Sequence, residues 1–188
     1  MNLIAAVDSN WAIGNKGQLL ARIPDDLGMF RKKTLDKVVV YGRKTLETFP
    51  KAQPLDRRTN IVLSGNTEYK VDNAVVVHSI SELLEKLKSY TSEDIYIIGG
   101  ESIYRQMLPY CDTAYITKID YAYEADVCFP DLDNDPEWEV AEDGDDRIYS
   151  GLTYRFICYR RKNNIFRKED YVDRFGKSTD CHRHSEKT

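Results

Sequence analysis

The sequence predicts a single α/β domain with a mixed sheet of about eight strands, mostly parallel, with a C-terminal antiparallel hairpin and helices on both faces. Three observations predict it. Short, continuous, β-branched runs such as Val38-Val39-Val40 and Ile95-Tyr96-Ile97-Ile98 lack the alternation of a half-exposed strand and suit a parallel sheet buried on both faces. Segments of helical character lie between those runs, so strand and helix alternate along the chain. Beyond residue 137 the alternation stops, and two strand-like runs follow one another across a Gly/Asp-rich turn, the pattern of an antiparallel hairpin.

Taken in order, residues 3–7 form an apolar first strand ended by Asp8, and residues 8–22 form a loop without periodic pattern. A helix over 24–34 starts on Pro24 near N1 with Asp25 and Asp26 in its first turn, and Ile23, Leu27, Phe30 and Thr34 make its apolar stripe. Strands follow at 37–41, 60–63, 74–77, 94–98 and 113–119, with helices at 43–49, 81–90 and 101–108. Residues 138–142 and 152–161 are the closing hairpin. The domain is expected to span 1–162. Residues 163–188 are a polar tail in which 11 of 26 residues are charged, either disordered or docked as a short helix carrying Tyr171 and Phe175.

Composition narrows the function. With 188 residues, 41% hydrophobic and 31% charged, the chain suits one buried core and has no apolar run near the roughly 20 residues of a membrane span. The apolar stretch 3–7 lacks the basic flank and length of a signal peptide, so a cytoplasmic location is expected. A net charge of −4 with both signs scattered argues against nucleic acid, leaving a small molecule as the expected partner. Cys111, Cys128, Cys158 and Cys181 form no CxxC pair, so reduced thiols are expected and no metal site. His182 and His184 in the tail have no further ligands fixed beside them.

Two segments carry anion-binding chemistry. In residues 38–45 a buried strand runs through Gly42 into a helix start bearing Arg43, Lys44 and Thr45. Free N–H groups, two cations and a hydroxyl suit a phosphate there, and a solvated helix end fits the segment equally well. Residues 95–103 repeat the arrangement with Gly99-Gly100, which let backbone approach a ligand closely, followed by Glu101, Ser102 and Ile103. Two strand–glycine–helix junctions in one sheet meet the needs of a dinucleotide's phosphates, although neither matches GxGxxG or a P-loop.

The third feature is Asp26, which borders the apolar stripe beneath Met29 and Phe30. A carboxylate there is costly unless paired, and a ligand with an amidine-like fork is a natural partner; an ordinary first-turn acid stabilised by the helix dipole is the alternative. His78, the one histidine of the body, follows a strand end and reads as a surface or loop residue. Reduction by a bound cofactor needs no protein nucleophile, and none stands out.

These segments together resemble dihydrofolate reductase over residues 2 to about 160. The resemblance rests on residues 3–7, Ile13-Gly14-Asn15, Pro24-Asp25-Asp26-Leu27, Phe30, Gly42-Arg43-Lys44-Thr45, Arg58 before 60–64, Ile98-Gly99-Gly100, Tyr104, Thr117 and Phe129-Pro130-Asp131, all in family order. It implies that Asp26, supported by Thr117, holds the N3 and 2-amino group of the pterin while C6 gains hydride and N5 a proton. Ile4, Ala6, Leu27, Phe30, Phe49, Leu55, Ile98 and Tyr104 would line the substrate pocket, with Arg58 rather than its neighbour Arg57 on the glutamate tail. NADPH would contact Ala6, Ile13, Gly14, Asn15 and Leu19, then Gly42, Arg43, Lys44, Thr45, Leu63 and Ser64 on the adenine side. Gly99, Gly100, Glu101, Ser102, Ile103 and Tyr104 would take the pyrophosphate and nicotinamide. Arg43 near a ribose 2′-phosphate implies NADPH over NADH.

The resemblance further implies a cis Gly99-Gly100 bond, a lid formed by residues 8–22, antifolate-type inhibitors as ligands, no membrane and a monomer. One departure stands out: the family's Pro-Trp before the substrate helix is Leu20-Ala21 here. Two rivals are a sister enzyme that reduces a ribosyl-aminopyrimidine in riboflavin synthesis and a binding protein without turnover.

Overall fold

The computed structural model describes residues 1–162; the predicted tail at 163–188 lies outside the described residues. The main sheet contains β1 (Asn2–Val7), β4 (Val38–Gly42), β5 (Thr59–Leu63), β6 (Val75–Val77), β7 (Ile95–Gly99), β8 (Thr113–Ile119), β10 (Trp138–Asp143), β11 (Arg147–Tyr149) and β12 (Leu152–Arg161). Its order is β10-β12-β8-β1-β7-β4-β5-β6, with β11 also paired to β12. Every neighbour pair from β8 to β6 is parallel, and β12 joins β8, β10 and β11 antiparallel. The mostly parallel mixed sheet with an antiparallel C-terminal portion is as expected. Strand β11 is the addition: the turn expected between the two hairpin strands carries its own short strand.

Alternation within the buried strands sends side chains to two cores. Val38 and Val40 of β4, with Leu3 and Val7 of β1, pack with Leu83 and Leu87 of α3 (Ile80–Leu87) and Ile103 and Met107 of α4 (Glu101–Met107). Val39, Tyr41 and Ile4 point the other way, onto Met29 and Phe30 of α1 (Pro24–Thr34) and Leu46 of α2 (Arg43–Glu47). Two helices therefore cover each face. Ser79 caps α3 by accepting from the Glu82 N–H, and Pro24 starts α1 without a side-chain cap. Cys111 and Cys158 are buried free thiols.

Residues 8–22 are also corrected. They hold a hairpin of β2 (Ala12–Asn15) and β3 (Gln18–Leu19), and β2 pairs with β9 (Val127–Cys128) in a second, three-stranded sheet. Gly14 is required there: a Cβ would lie 2.9 Å from the Gln18 carbonyl oxygen. Buried Asp8 fixes the base of the hairpin. One carboxylate oxygen accepts from the N–H groups of Asn10 and Ala12, and the other from Tyr123 in the segment after β8.

Candidate active site

Asp26 sits in the first turn of α1, half-buried, and its Oδ1 accepts a 2.6 Å hydrogen bond from the Thr117 hydroxyl. Thr117 is fully buried on β8, in register with Ala6 of β1. Burial pushes the Asp26 carboxyl above the usual carboxylate range, and the Thr117 hydrogen bond opposes part of that rise. No described cation pairs with it. Asp25 behaves differently: it is exposed and bonds Arg147 and the Tyr154 hydroxyl. The adjacent acids thus separate into a surface anchor and a carboxylate held toward the interior.

The helix that carries this acid packs on an apolar cluster through Met29 and Phe30. Ile4, Phe30, Phe49, Leu55 and Ile98 belong to one packed cluster, drawn from β1, α1, the segment after α2 and β7. Tyr104 is buried, donates to the Ile4 carbonyl oxygen at 2.7 Å, and titrates high because of its burial, reinforced by the nearby Asp26 charge. Leu27 departs from the expected stripe, being 45% exposed; Met29 and Phe30 make the core contact of α1 instead. Ala6 is half-buried beside Thr117.

The two neighbouring arginines separate as clearly. Arg57 is exposed and ion-paired with Asp36 at 2.6 Å. Arg58 is half-buried, donates to the Thr34 hydroxyl and the Asp56 carbonyl, and has no carboxylate partner among the described residues. Burial and the nearby Arg31 charge lower its tendency to hold a proton. Two guanidiniums near one another, one of them without a carboxylate hydrogen bond among the described residues, suit an anionic ligand.

The strand–glycine–helix junctions lie side by side, because β4 and β7 are hydrogen-bonded neighbours. A Cβ on Gly100 would lie 3.3 Å from the Thr45 hydroxyl oxygen, and one on Gly42 would lie 3.2 Å from the Ile103 side chain. The Gly99-Gly100 bond is cis, and Gly99 has φ +120°, open to glycine alone. Arg43 pairs with Glu47 one turn along α2 and lies 6.0 Å from the Tyr69 ring centre. Lys44 is exposed and Ser64 buried. The Glu101 carboxylate turns away, pairing with Arg105 and accepting from the Cys128 N–H. A cavity of about 290 Å³ opens beside the second junction, with Leu63, Ile80 and Ile103 as apolar lining and Gly65, His78, Ser79, Ser102 and Gln106 at its polar edge.

The β2–β3 hairpin carries four of the remaining candidate residues. Ile13 and Asn15 are half-buried, Gly14 is buried and Leu19 is 60% exposed at its outer strand. Its tip is held by the Lys16 N–H donating to Asp126 at 3.0 Å.

Comparison with known proteins agrees with this arrangement. A dihydrofolate reductase family model matches residues 1–161. The chain belongs to the dihydrofolate reductase family. Dihydrofolate reductase of Bacillus subtilis (strain 168) is 32% identical over 166 residues, covering 87% of this chain and 96% of that protein. Its counterpart in Neisseria gonorrhoeae is 36% identical over 163 residues, covering 86% and 98%. The solved structure of dihydrofolate reductase from Enterococcus faecalis, complexed with NADP(H) and RAB-propyl, superposes with a TM-score of 0.77 at 32% identity and covers 86% of this chain and 96% of that one.

Membership of the dihydrofolate reductase family makes the chain an oxidoreductase acting on dihydrofolate, and the aminopyrimidine rival loses its footing. No helix among the described residues is long and apolar enough to cross a membrane, and no described cluster suits a metal. Where dihydrofolate reductases carry Pro-Trp, Ala21 here packs with Ile23, Ile119 and Tyr154. Trp11 fills no such role: it is buried on Phe129 and Tyr159, with Lys118 over its ring. Sequence reasoning missed the roles of Asp8 and Asp126, because the contacts that tie them to other elements, Asp8 to Tyr123 and Asp126 to Lys16, are more than a hundred residues apart in the chain.

Proposed function

We propose that this chain reduces 7,8-dihydrofolate to tetrahydrofolate with NADPH, binding the pterin on Asp26 and the cofactor across the two glycine junctions. The observation that carries the reading is the Asp26 carboxylate: half-buried, fixed by Thr117, and without a described cation. Such a group is satisfied by a ligand presenting two parallel N–H donors, as the N3 and 2-amino group of a pterin do. Ile4, Phe30, Phe49, Leu55 and Ile98 hold the ring by apolar contact, with Ala6, Leu27 and Tyr104 at its edges. Arg58 receives a carboxylate of the glutamate tail.

The residues present suit NADPH. A Cβ at Gly42 would crowd Ile103 and one at Gly100 would crowd Thr45, so glycine keeps both junctions open where a pyrophosphate would cross, and Arg43 supplies a cation at the end of β4. Gly99, Glu101, Ser102 and Ile103 would hold the pyrophosphate through backbone groups and the Ser102 hydroxyl. Lys44, Thr45, Leu63 and Ser64 would flank the adenosine, and Ala6, Ile13, Gly14, Asn15 and Leu19 the nicotinamide. Bound NADPH supplies the hydride that reduces C6. Asp26 orients the ring by accepting from N3 and the 2-amino group, and favours the electron distribution in which N5 takes a proton. The hairpin of β2 and β3 excludes water from the reacting face.

The same pocket would admit antifolate-type inhibitors, and the protein would act as a cytoplasmic monomer. The test is loss of NADPH absorbance on adding dihydrofolate, with a no-folate control and a ribosyl-aminopyrimidine in parallel. Folate-dependent oxidation is expected; NADPH binding without it would leave a binding protein.

A further inference from the structure

Asn60 on β5 is 3% exposed, and every hydrogen-bonding position of its amide is filled by other parts of the chain. Its Oδ1 accepts from the Tyr41 hydroxyl at 2.8 Å and from the Leu55 N–H at 3.0 Å. Its Nδ2 donates to the carbonyl oxygens of Leu55 at 2.8 Å and Arg58 at 3.0 Å. An amide has two N–H groups and an oxygen with two lone pairs, so the set is complete. Segment 53–58, which leads into β5, belongs to no helix or strand, and three of the four bonds hold its backbone.

That segment delivers two arginines to different surroundings. Arg57 has φ +55°, a left-handed backbone that a residue with a side chain keeps only where its neighbours impose it. The Asp36 N–H donates to the Arg57 carbonyl at 2.8 Å, the Asp36 carboxylate pairs with the exposed guanidinium, and the Asn60 amide holds the next carbonyl along. Arg58 is half-buried instead. Its Nε and Nη2 donate to the Thr34 hydroxyl oxygen at 3.3 and 3.2 Å, and its Nη1 to the Asp56 carbonyl at 2.7 Å. The Thr34 hydroxyl hydrogen is already engaged by the Phe30 carbonyl at 2.9 Å, so its oxygen is left to accept. Of the five N–H groups of a guanidinium these contacts use three and leave one on each terminal nitrogen, the number a carboxylate takes.

We infer that Asn60 is a positioning residue for Arg58: by fixing the backbone from Leu55 to Arg58, it places those two N–H groups where the carboxylate of a substrate tail meets them. The inference rests on the proposed folate site, in which Arg58 receives that tail. Thr34 does not duplicate the role, because it fixes the head of the Arg58 side chain and not the backbone from which the side chain starts. Tail and ring are held by different groups. Asn60 therefore selects for substrates with an anionic tail over the bare ring, and it acts on binding rather than on the chemical step.

The experiment is steady-state oxidation of NADPH by the full chain and by Asn60→Ser, with dihydrofolate and with 6-methyl-7,8-dihydropterin, which keeps the ring and lacks the tail. Both substrates are also run in an Arg58→Ala background. Serine has one donor, so it cannot hold the Leu55 and Arg58 carbonyls together. In Asn60→Ser the KM for dihydrofolate should rise roughly tenfold, the order of loss when a charge-assisted contact is misplaced. Both kcat values and the KM for the methylpterin should stay within about twofold of the wild type. The rise should disappear when Arg58 is alanine, because two changes to one contact are not additive. Tyr41→Phe keeps the ring and takes one donor from Oδ1; it should show the same selectivity at smaller size, and it carries the test if Asn60→Ser does not fold. Equal KM rises for the two substrates, or a rise that persists without Arg58, would overturn the inference and leave Asn60 a support of the fold alone. If Arg58→Ala leaves the KM for dihydrofolate unchanged, the Arg58 assignment and this inference fall while the proposed reaction stands. If the wild type turns over neither substrate, the proposed function fails and the inference falls with it.

Discussion

Asp26 and Asp25 are neighbours of one residue type in one helical turn, and only their surroundings distinguish them. Asp25 meets Arg147 and Tyr154 at the surface; Asp26 is half-buried and meets the Thr117 hydroxyl. Replacing Asp26 by Asn keeps size and the Thr117 hydrogen bond but offers the pterin a donor where an acceptor is needed. Turnover of dihydrofolate should fall by on the order of 100-fold or more, with NADPH affinity unchanged by fluorescence titration. Equal turnover in Asp26→Asn would defeat the assignment. Arg43 answers for the cofactor: Arg43→Ala should weaken NADPH binding by roughly tenfold, the worth of one charge-assisted contact, and leave NADH binding alone. An unchanged ratio of the two affinities would mean that another residue reads the phosphate.

Among the elements, the β2–β3 hairpin is tied at its base by one side chain, Asp8, beside its pairing with β9 and the Asp126 contact at its tip. Asp8 Oδ1 serves Asn10 and Ala12 within the loop, whereas Oδ2 serves Tyr123 across to the segment after β8. Asp8→Asn, with its oxygen facing Asn10 and Ala12, keeps the local pair and sets an NH2 against the Tyr123 N–H. Asp8→Ala removes both acceptor oxygens and with them all three hydrogen bonds. Denaturant unfolding should record a loss of about 1–2 kcal/mol for Asn and about 3 kcal/mol for Ala. Hydrogen exchange should quicken at the Tyr123 amide in Asp8→Asn while Asn10 and Ala12 stay protected; uniform quickening would mean that the oxygens do not divide the work this way.

That hairpin also marks where sequence legibility ends. Strand β4 was readable because Val38 to Tyr41 are buried on both faces, which forces an unbroken apolar run. Strand β2 is short and owes its place to β9, more than a hundred residues away, a long-range pairing that leaves no local period. Strand β11 is exposed throughout, so no apolar face announced it. The site divides along the same line. A carboxylate beside an apolar stripe is visible in a linear sequence, whereas Thr117 came only through family resemblance.

At the scale of the whole molecule, binding and folding make opposed demands on Asp26. In the unfolded chain its carboxyl titrates near the ordinary value of about 3.9; in the fold, burial raises it. Between those two values the native state binds more protons than the unfolded one, so stability declines as pH rises through the folded value and levels off above it. The ionised acid is therefore a net cost to the empty protein at neutral pH. Asp26→Asn carries no such charge, and its melting temperature should exceed that of the wild type at pH 7. The two should converge below about pH 3.9, where Asp26 is protonated in both states. A saturating 2,4-diaminopyrimidine ligand should reverse the order at pH 7, because its donor fork compensates the carboxylate and adds stability in proportion to its affinity, which the amide lacks. A gap between the empty proteins that does not vary with pH would place the cost of Asp26 in its shape rather than its charge.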